Sequence, residues 1–67
     1  MIAEVIVDIS SSDVDKVYDY IAPEGVCPGH RVMVPFGRQR LEGIVLRLKE
    51  TPDTHHALKA IERILDP

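Results

Sequence analysis

At 67 residues, 45% of them apolar, the chain is long enough for one small domain and too short for two; a domain of this size buries only about 60% of its extended-chain surface. Eight Lys and Arg against eleven Asp and Glu give a formal net charge of −3. That balance excludes the broad basic face with which proteins grip nucleic acid along its backbone, so any such contact must be local, on the scale of one nucleotide or one strand end.

Composition by itself favours a protein-interaction module. The single cysteine, Cys27, excludes an internal disulfide and fits a reducing compartment. No apolar run approaches the ~20 residues of a membrane helix, and no signal-peptide pattern follows Met1. A soluble, cytoplasmic chain with no membrane partner is expected.

The first element, Ile2 to Ile9, alternates Ala3, Val5, Val7 and Ile9 against Ile2, Glu4, Ile6 and Asp8, the two-residue period of a half-buried strand. Ser10-Ser11-Ser12-Asp13 is turn chemistry. Asp13-Val14-Asp15-Lys16 leaves room for one short helical turn, capped by Ser12 or Asp13. Val17 to Ile21 is the next strand, with Tyr18 and Tyr20 on one side and Val17, Asp19 and Ile21 on the other. Aspartate is disfavoured in mid-strand, which makes Asp19 the odd residue there. Pro23-Glu24-Gly25 and Pro28-Gly29 are turns, with Val26-Cys27 a short connector between them.

His30 to Gly37 is the central strand, carrying Val32, Val34 and Phe36 on one face. Pro35 cannot donate to a ladder, so this strand lies at an edge or finishes near Pro35. Gly37-Arg38-Gln39-Arg40 reads as a hairpin loop of three to five residues, and Leu41 to Leu48 as the returning strand. Gly43 interrupts that strand, as glycines do at a bulge or a bend. The tract from Lys49 to His56 is a surface loop. In Ala57 to Leu65, Leu58, Ile61 and Leu65 fall at helical spacing among good helix formers, so pattern alone favours a helix there.

Candidate chemistry is sparse. No GxxxxGK[ST] loop is present, so the chain by itself is no nucleotide-driven motor. Cys27 and His30 have a metal-like gap and His55-His56 adds two imidazoles, but no second cysteine pair completes a zinc site. No catalytic constellation assembles enough partners for an enzyme. Tyr18, Asp19 and Tyr20 form the best polar-aromatic cluster, open to two readings. In one, the tyrosines are core and Asp19 caps or pairs with Arg31. In the other, Tyr18 is a stacking platform and Asp19 an acceptor for a ligand hydroxyl or amine. Lys59, Arg38 and Arg40 are ordinarily solvated charges, although a basic loop beside Gly37 can meet a phosphate.

Taken together, Val17-Tyr18-Asp19-Tyr20-Ile21-Ala22-Pro23-Glu24-Gly25, Pro28-Gly29-His30-Arg31-Val32-Met33-Val34-Pro35-Phe36-Gly37, Gly43-Ile44-Val45, Leu58-Lys59-Ala60-Ile61 and Leu65-Asp66 resemble the N-terminal domain of the primosomal replication-restart helicases, the PriA family. The resemblance runs in order over nearly the whole chain. It implies a small all-β barrel similar to a circularly permuted OB-fold, with the last segment a strand. It also implies that residues 1–67 form a single N-terminal DNA-binding domain, with helicase and winged-helix parts absent; the abrupt Asp66-Pro67 end fits a chain cut there.

The implied partners are DNA with a free 3′ end, at a fork or as a single strand, and the other domains of an ATP-dependent parent helicase. No cofactor is implied in this chain. The family's pocket residues map onto Tyr18, Asp19, Gly37 and Lys59. Tyr18 stands where the family more often has phenylalanine; a tyrosine still stacks, but its hydroxyl must reach water or a partner. The alternative function, a protein-interaction or intramolecular scaffold barrel, would dock through the edge near Pro35 and the Arg38-Arg40 hairpin.

Overall fold

The computed structural model describes residues 1–7, 16–53 and 57–66. Among these residues five strands follow one another: β1 (Ile2–Val7), β2 (Lys16–Ile21), β3 (Arg31–Phe36), β4 (Gln39–Lys49) and β5 (Arg63–Ile64). They form one antiparallel sheet in the order β2-β1-β4-β3-β5. The two ends of that order then meet. The Ile21 N–H donates to the Lys59 carbonyl (2.9 Å) and the Ile61 N–H to the Ile21 carbonyl (3.0 Å), a parallel bridge between Ile21 and Ala60. The sheet therefore curls back on itself like a small barrel. Its radius of gyration, 10.9 Å, is that of one folded domain of this length, about 10.9 Å by the usual scaling.

The expected all-β class holds, and no helix occurs among the described residues. Residues 8 and 9 of the first expected strand, the proposed helical turn up to residue 15, and His55-His56 lie outside the described residues. Helical spacing in Ala57 to Leu65 misled, and the extended segment implied by the family resemblance holds. The segment is extended and pairs only at Ala60 and in the two residues of β5, because Ile61 fills the core (4% exposed) while the Glu62 and Leu65 N–H groups are used by the Met33 and Arg31 carbonyls, each at 2.8 Å. Those non-local bonds and Ile61's burial outweigh a weak local preference for helix.

Among the described residues, the five largest fully buried side chains are all valines, Val5, Val7, Val32, Val34 and Val45. Their stiff, branched side chains suit a pleated surface and their modest volume suits the narrow interior of a small barrel. Val26 is also core, although its position between two turns marks it only as a connector.

The hairpin is tighter than expected. Phe36 pairs with Gln39, and Pro35 with Arg40, so only Gly37 and Arg38 turn the chain. Gly37 has φ of 59° and Arg38 does not take positive φ, the signs of a type II′ turn, which needs glycine at its first central position.

Gly43 sits three residues before the irregularity in β4, and its role is close approach. A Cβ there would lie 2.5 Å from Val5 Cγ1 and 2.8 Å from the Ile6 carbonyl oxygen. The bulge itself is at Leu46: Glu4 pairs with Arg47 and Val5 with Val45, leaving Leu46 as the extra residue. This resets the alternation. Gly43 and Val45 face inward, Leu46 and Arg47 both face out, and Leu48 packs on the core. Arg47 and Lys49 consequently stand on the outer face beside Glu4.

Gly43→Ala is expected to cost about 1–3 kcal/mol, because the backbone oxygen of Ile6 cannot yield as a side chain would. The urea midpoint should fall at unchanged m-value. An unaltered midpoint would show that β1 and β4 can separate freely.

Candidate functional site

β5 pairs with β3 only at Val32 and Met33, so β3 past Met33 has an open edge, and β2 faces it across a gap. Strand alternation decides what each edge presents. On β3, Arg31 and Met33 turn their carbonyls away from β4 toward Leu65 and Glu62; Pro35 has the same parity. Its missing N–H thus falls where no ladder partner exists, and its carbonyl accepts a hydrogen bond from the Tyr20 hydroxyl at 2.8 Å. Burial, with Tyr18 adding to it, pushes the Tyr20 phenol up, which keeps it a donor. Beside this bond the Tyr18 and Phe36 rings meet edge to face, 5.1 Å between centroids at 73°, a favoured aromatic geometry.

The gap is a pocket of about 210 Å³, lined by residues 18–20 of β2, 35–37 at the end of β3, and 57–59. It is smaller than the ~300–1,000 Å³ of pockets for drug-sized ligands, on the scale of a single nucleotide. Tyr18, Asp19, Gly37 and Lys59, the four residues expected from the sequence, all border it. Gly37 leaves it open, since a Cβ at that position would meet nothing within 4 Å. Lys59 is exposed and has no ion pair among the described residues.

Asp19 is arranged differently from its neighbours. Its parity is that of Ile21, so its peptide groups turn to the open edge of β2 while its side chain stands on the outer face with Glu4, its cross-strand partner. Asp19 Oδ1 lies 2.9 Å from Lys49 Nζ, and Oδ2 accepts the Asp53 N–H at 2.7 Å. The pairing with Arg31 that the sequence allowed does not form; Arg31 binds Asp66 through its N–H (2.7 Å) and its guanidinium (3.1 Å).

Lys49 Nζ also lies 2.9 Å from a carboxylate oxygen of Glu4 and 2.9 Å from one of Asp53, and Arg47 reaches the same Glu4 oxygen at 2.8 Å. Hydrogen bonds from Arg47, then from Lys49, hold the Glu4 carboxyl at about 2. Burial works against the Lys49 ammonium, but bonds to Asp53, Asp19 and Glu4 outweigh it and lift the group above the ordinary lysine range.

Sequence reasoning passed over Phe36, Leu58 and Lys49. Phe36 was legible as a strand residue and Leu58 as an apolar one. Lys49 faces Asp19 only because of the Leu46 bulge, for which no residue type is a signal. Cys27 is exposed, and its N–H donates to His30 Nδ1 at 3.0 Å.

Stability should follow the Glu4 and Lys49 shifts. The Glu4 value lies below its ordinary 4.5, so its contribution is complete above pH 4.5 and is lost as pH falls from there toward 2. Lys49 has the opposite sign: its contribution is complete below about pH 10.5 and is lost on the alkaline side. Urea midpoints measured in steps from pH 6 to 2 should decline below 4.5, and the decline should be shallower in Glu4→Gln. Superimposable acid limbs would mean that Glu4 is not held by these cations.

Residues 4–67 match the family described as the 3'DNA-binding domain (3'BD) of PriA. The chain is also 39% identical over 69 residues to the replication restart protein PriA of Bacillus subtilis (strain 168). That alignment covers 96% of this chain and 9% of the Bacillus protein, so the chain spans about a tenth of its relative's length.

Proposed function

This chain belongs to the PriA 3'DNA-binding domain family, and from that membership we propose that its pocket receives the terminal nucleotide at the 3′ end of a DNA strand. The observation that supports the reading is the convergence of Tyr18, Asp19, Gly37 and Lys59, from three separate segments, on one cavity of single-nucleotide size. In this reading the domain is a binding module and the chemistry of its parent protein lies elsewhere. The end it takes is that of a nascent leading strand at a stalled fork, in keeping with the replication-restart role in the name of the Bacillus relative.

Each residue has a distinct part. Tyr18, its ring braced edge-on by Phe36, offers a face for the terminal base, and such stacking contributes about 1–3 kcal/mol per base. Gly37, with open space over its Cα, lets sugar or base lie against backbone. Lys59 supplies positive charge for the last internucleotide phosphate. Asp19 is the acceptor for the 3′-hydroxyl at the rim of the gap: its carboxylate, held on the outer face of the edge strand β2 and only 9% exposed, has about four acceptor directions, of which Lys49 and the Asp53 N–H fill two. A strand continuing as a 3′-phosphate would bring negative charge against Asp19. Stacking and backbone contacts carry little base information, so any terminal base should serve.

A second reading, a barrel that docks on other domains of the parent protein, draws on the outer face. There Val17, Ile6 and Ile44 are cross-strand neighbours across β2, β1 and β4, and Val17, Ile44 and the bulged Leu46 are exposed.

An oligonucleotide ending in a 3′-hydroxyl should bind more tightly than the same strand ending in a 3′-phosphate, by fluorescence anisotropy. Equal affinities would sink the proposal. Asp19→Ala should remove most of the difference while circular dichroism stays unchanged; a difference that survives in the folded variant would take the hydroxyl contact away from this carboxylate. Because few phosphates are neutralised, the salt slope should be shallow, about −0.7 per phosphate contacted in a single strand. NMR titration separates the two readings: strand-induced shifts at residues 18, 19, 37 and 59 support the pocket, and shifts confined to residues 17, 44 and 46 on adding parent-protein fragments support docking.

A further inference from the structure

We infer that Lys49 is a positioning residue for the pocket, holding both Asp19 and the chain segment that delivers Lys59. This inference rests on the 3′-end reading above and deepens it. Lys49 is the last residue of β4, two strands away from Asp19 in the sheet. Its side chain is only 11% exposed and its single ammonium contacts Glu4, Asp19 and Asp53, each at 2.9 Å.

Those three partners belong to β1, β2 and the segment that leaves β4. Asp53 is bound twice: its carboxylate goes to Lys49 and its N–H to Asp19 Oδ2. The segment is thereby pinned against the outer face of β2 four residues before Ala57, the start of the pocket wall at 57–59. Both oxygens of Asp19 are engaged, one by Lys49 and one by the Asp53 N–H, so its plane cannot rotate freely and its remaining acceptor directions are fixed.

Charge makes the arrangement depend on Lys49. Glu4, Asp19 and Asp53 contribute −3, and Lys49 with Arg47 +2, so the cluster sums to −1. Without Lys49 it would be −2, and Arg47 bonds only Glu4 within it. Asp19 and Asp53 would then face each other uncompensated, and the exposed partner, Asp53, would move away with its segment. The wall carrying Lys59 would then keep only its anchor to Ile21 and lose the one at Asp53. An ion cluster on the outer face is weak evidence for added stability; one that spans three pieces of the site has a positional consequence that can be measured separately.

The test uses the 67-residue chain with Lys49→Met, Lys49→Arg and Asp53→Ala. It measures the ratio of affinities for 3′-hydroxyl and 3′-phosphate oligonucleotides, and the amide resonances of residues 57–59 without DNA. In folded Lys49→Met the ratio should fall about 3- to 10-fold and the 57–59 resonances should move. Lys49→Arg should recover part of the ratio, and Asp53→Ala should give a smaller loss. A wild-type ratio with unmoved resonances in folded Lys49→Met overturns the inference. If that variant does not fold, Asp53→Ala decides in its place, since the side chain it removes is 81% exposed and its loss leaves the core intact. If the wild-type chain itself shows no end preference, the 3′-end reading falls, and the 57–59 resonances alone decide whether Lys49 positions the wall.

Discussion

Closure through a single residue, Ile21, governs the molecule. A five-stranded sheet curls until its ends meet, and among the described residues the meeting consists of two main-chain hydrogen bonds, both made by Ile21 with residues 59 and 61. With β5 only two residues long, the seam cannot be zipped along its length. What remains unzipped between β2 and β3 is the pocket. A longer last strand would have paired with β3 past Met33 and filled the space that Tyr18, Phe36 and Gly37 now border. The cavity is thus a product of incomplete closure, and the aromatic pair with the Tyr20–Pro35 bond are what hold its two lips at a fixed separation.

The outer face follows from a different irregularity. One additional residue in β4, Leu46, reverses the inside-outside parity of everything after it. Strict alternation would have aimed Arg47 and Lys49 at a core of valines, where an uncompensated charge is prohibitively costly. The bulge directs them to Glu4 and through it to Asp19 instead. An acidic residue in mid-strand, poorly suited to a strand on propensity alone, is accommodated because a lysine two strands away can reach it. Surface ion pairs generally contribute little to stability; here the relevant property is that one ammonium makes three bonds in different parts of the fold.

Much of this was legible in the residues themselves. Alternation of Ala3, Val5 and Val7, and of Val32 and Val34, identified the core faces because burial on one side of a strand leaves a period of two. Pro35 announced an open edge through its missing donor. The four pocket residues came from family resemblance, since no spacing rule brings positions 18, 37 and 59 together. What stayed illegible depended on tertiary context. The Leu58, Ile61 and Leu65 spacing suited a helix, but hydrogen bonds to β3 and the burial of Ile61 drew the segment out straight. Lys49 looked like the first residue of a loop, because the bulge that re-aims it leaves no mark in residue type. Asp19 was visible as unusual, yet which of its atoms meet the gap depended on the register with β1.

The proline at the open lip has a further consequence. A bare strand edge is a template on which another chain can lay down a matching strand, and proteins that leave one exposed risk stacking into fibres or dimers. At residue 35 the donor is absent by covalent structure, and the neighbouring acceptor is already taken by the Tyr20 hydroxyl. An incoming polypeptide would therefore find no ladder to extend at that point. The lip can thus remain unpaired in a crowded solution, turning away strands of protein while its aromatic pair still borders the gap.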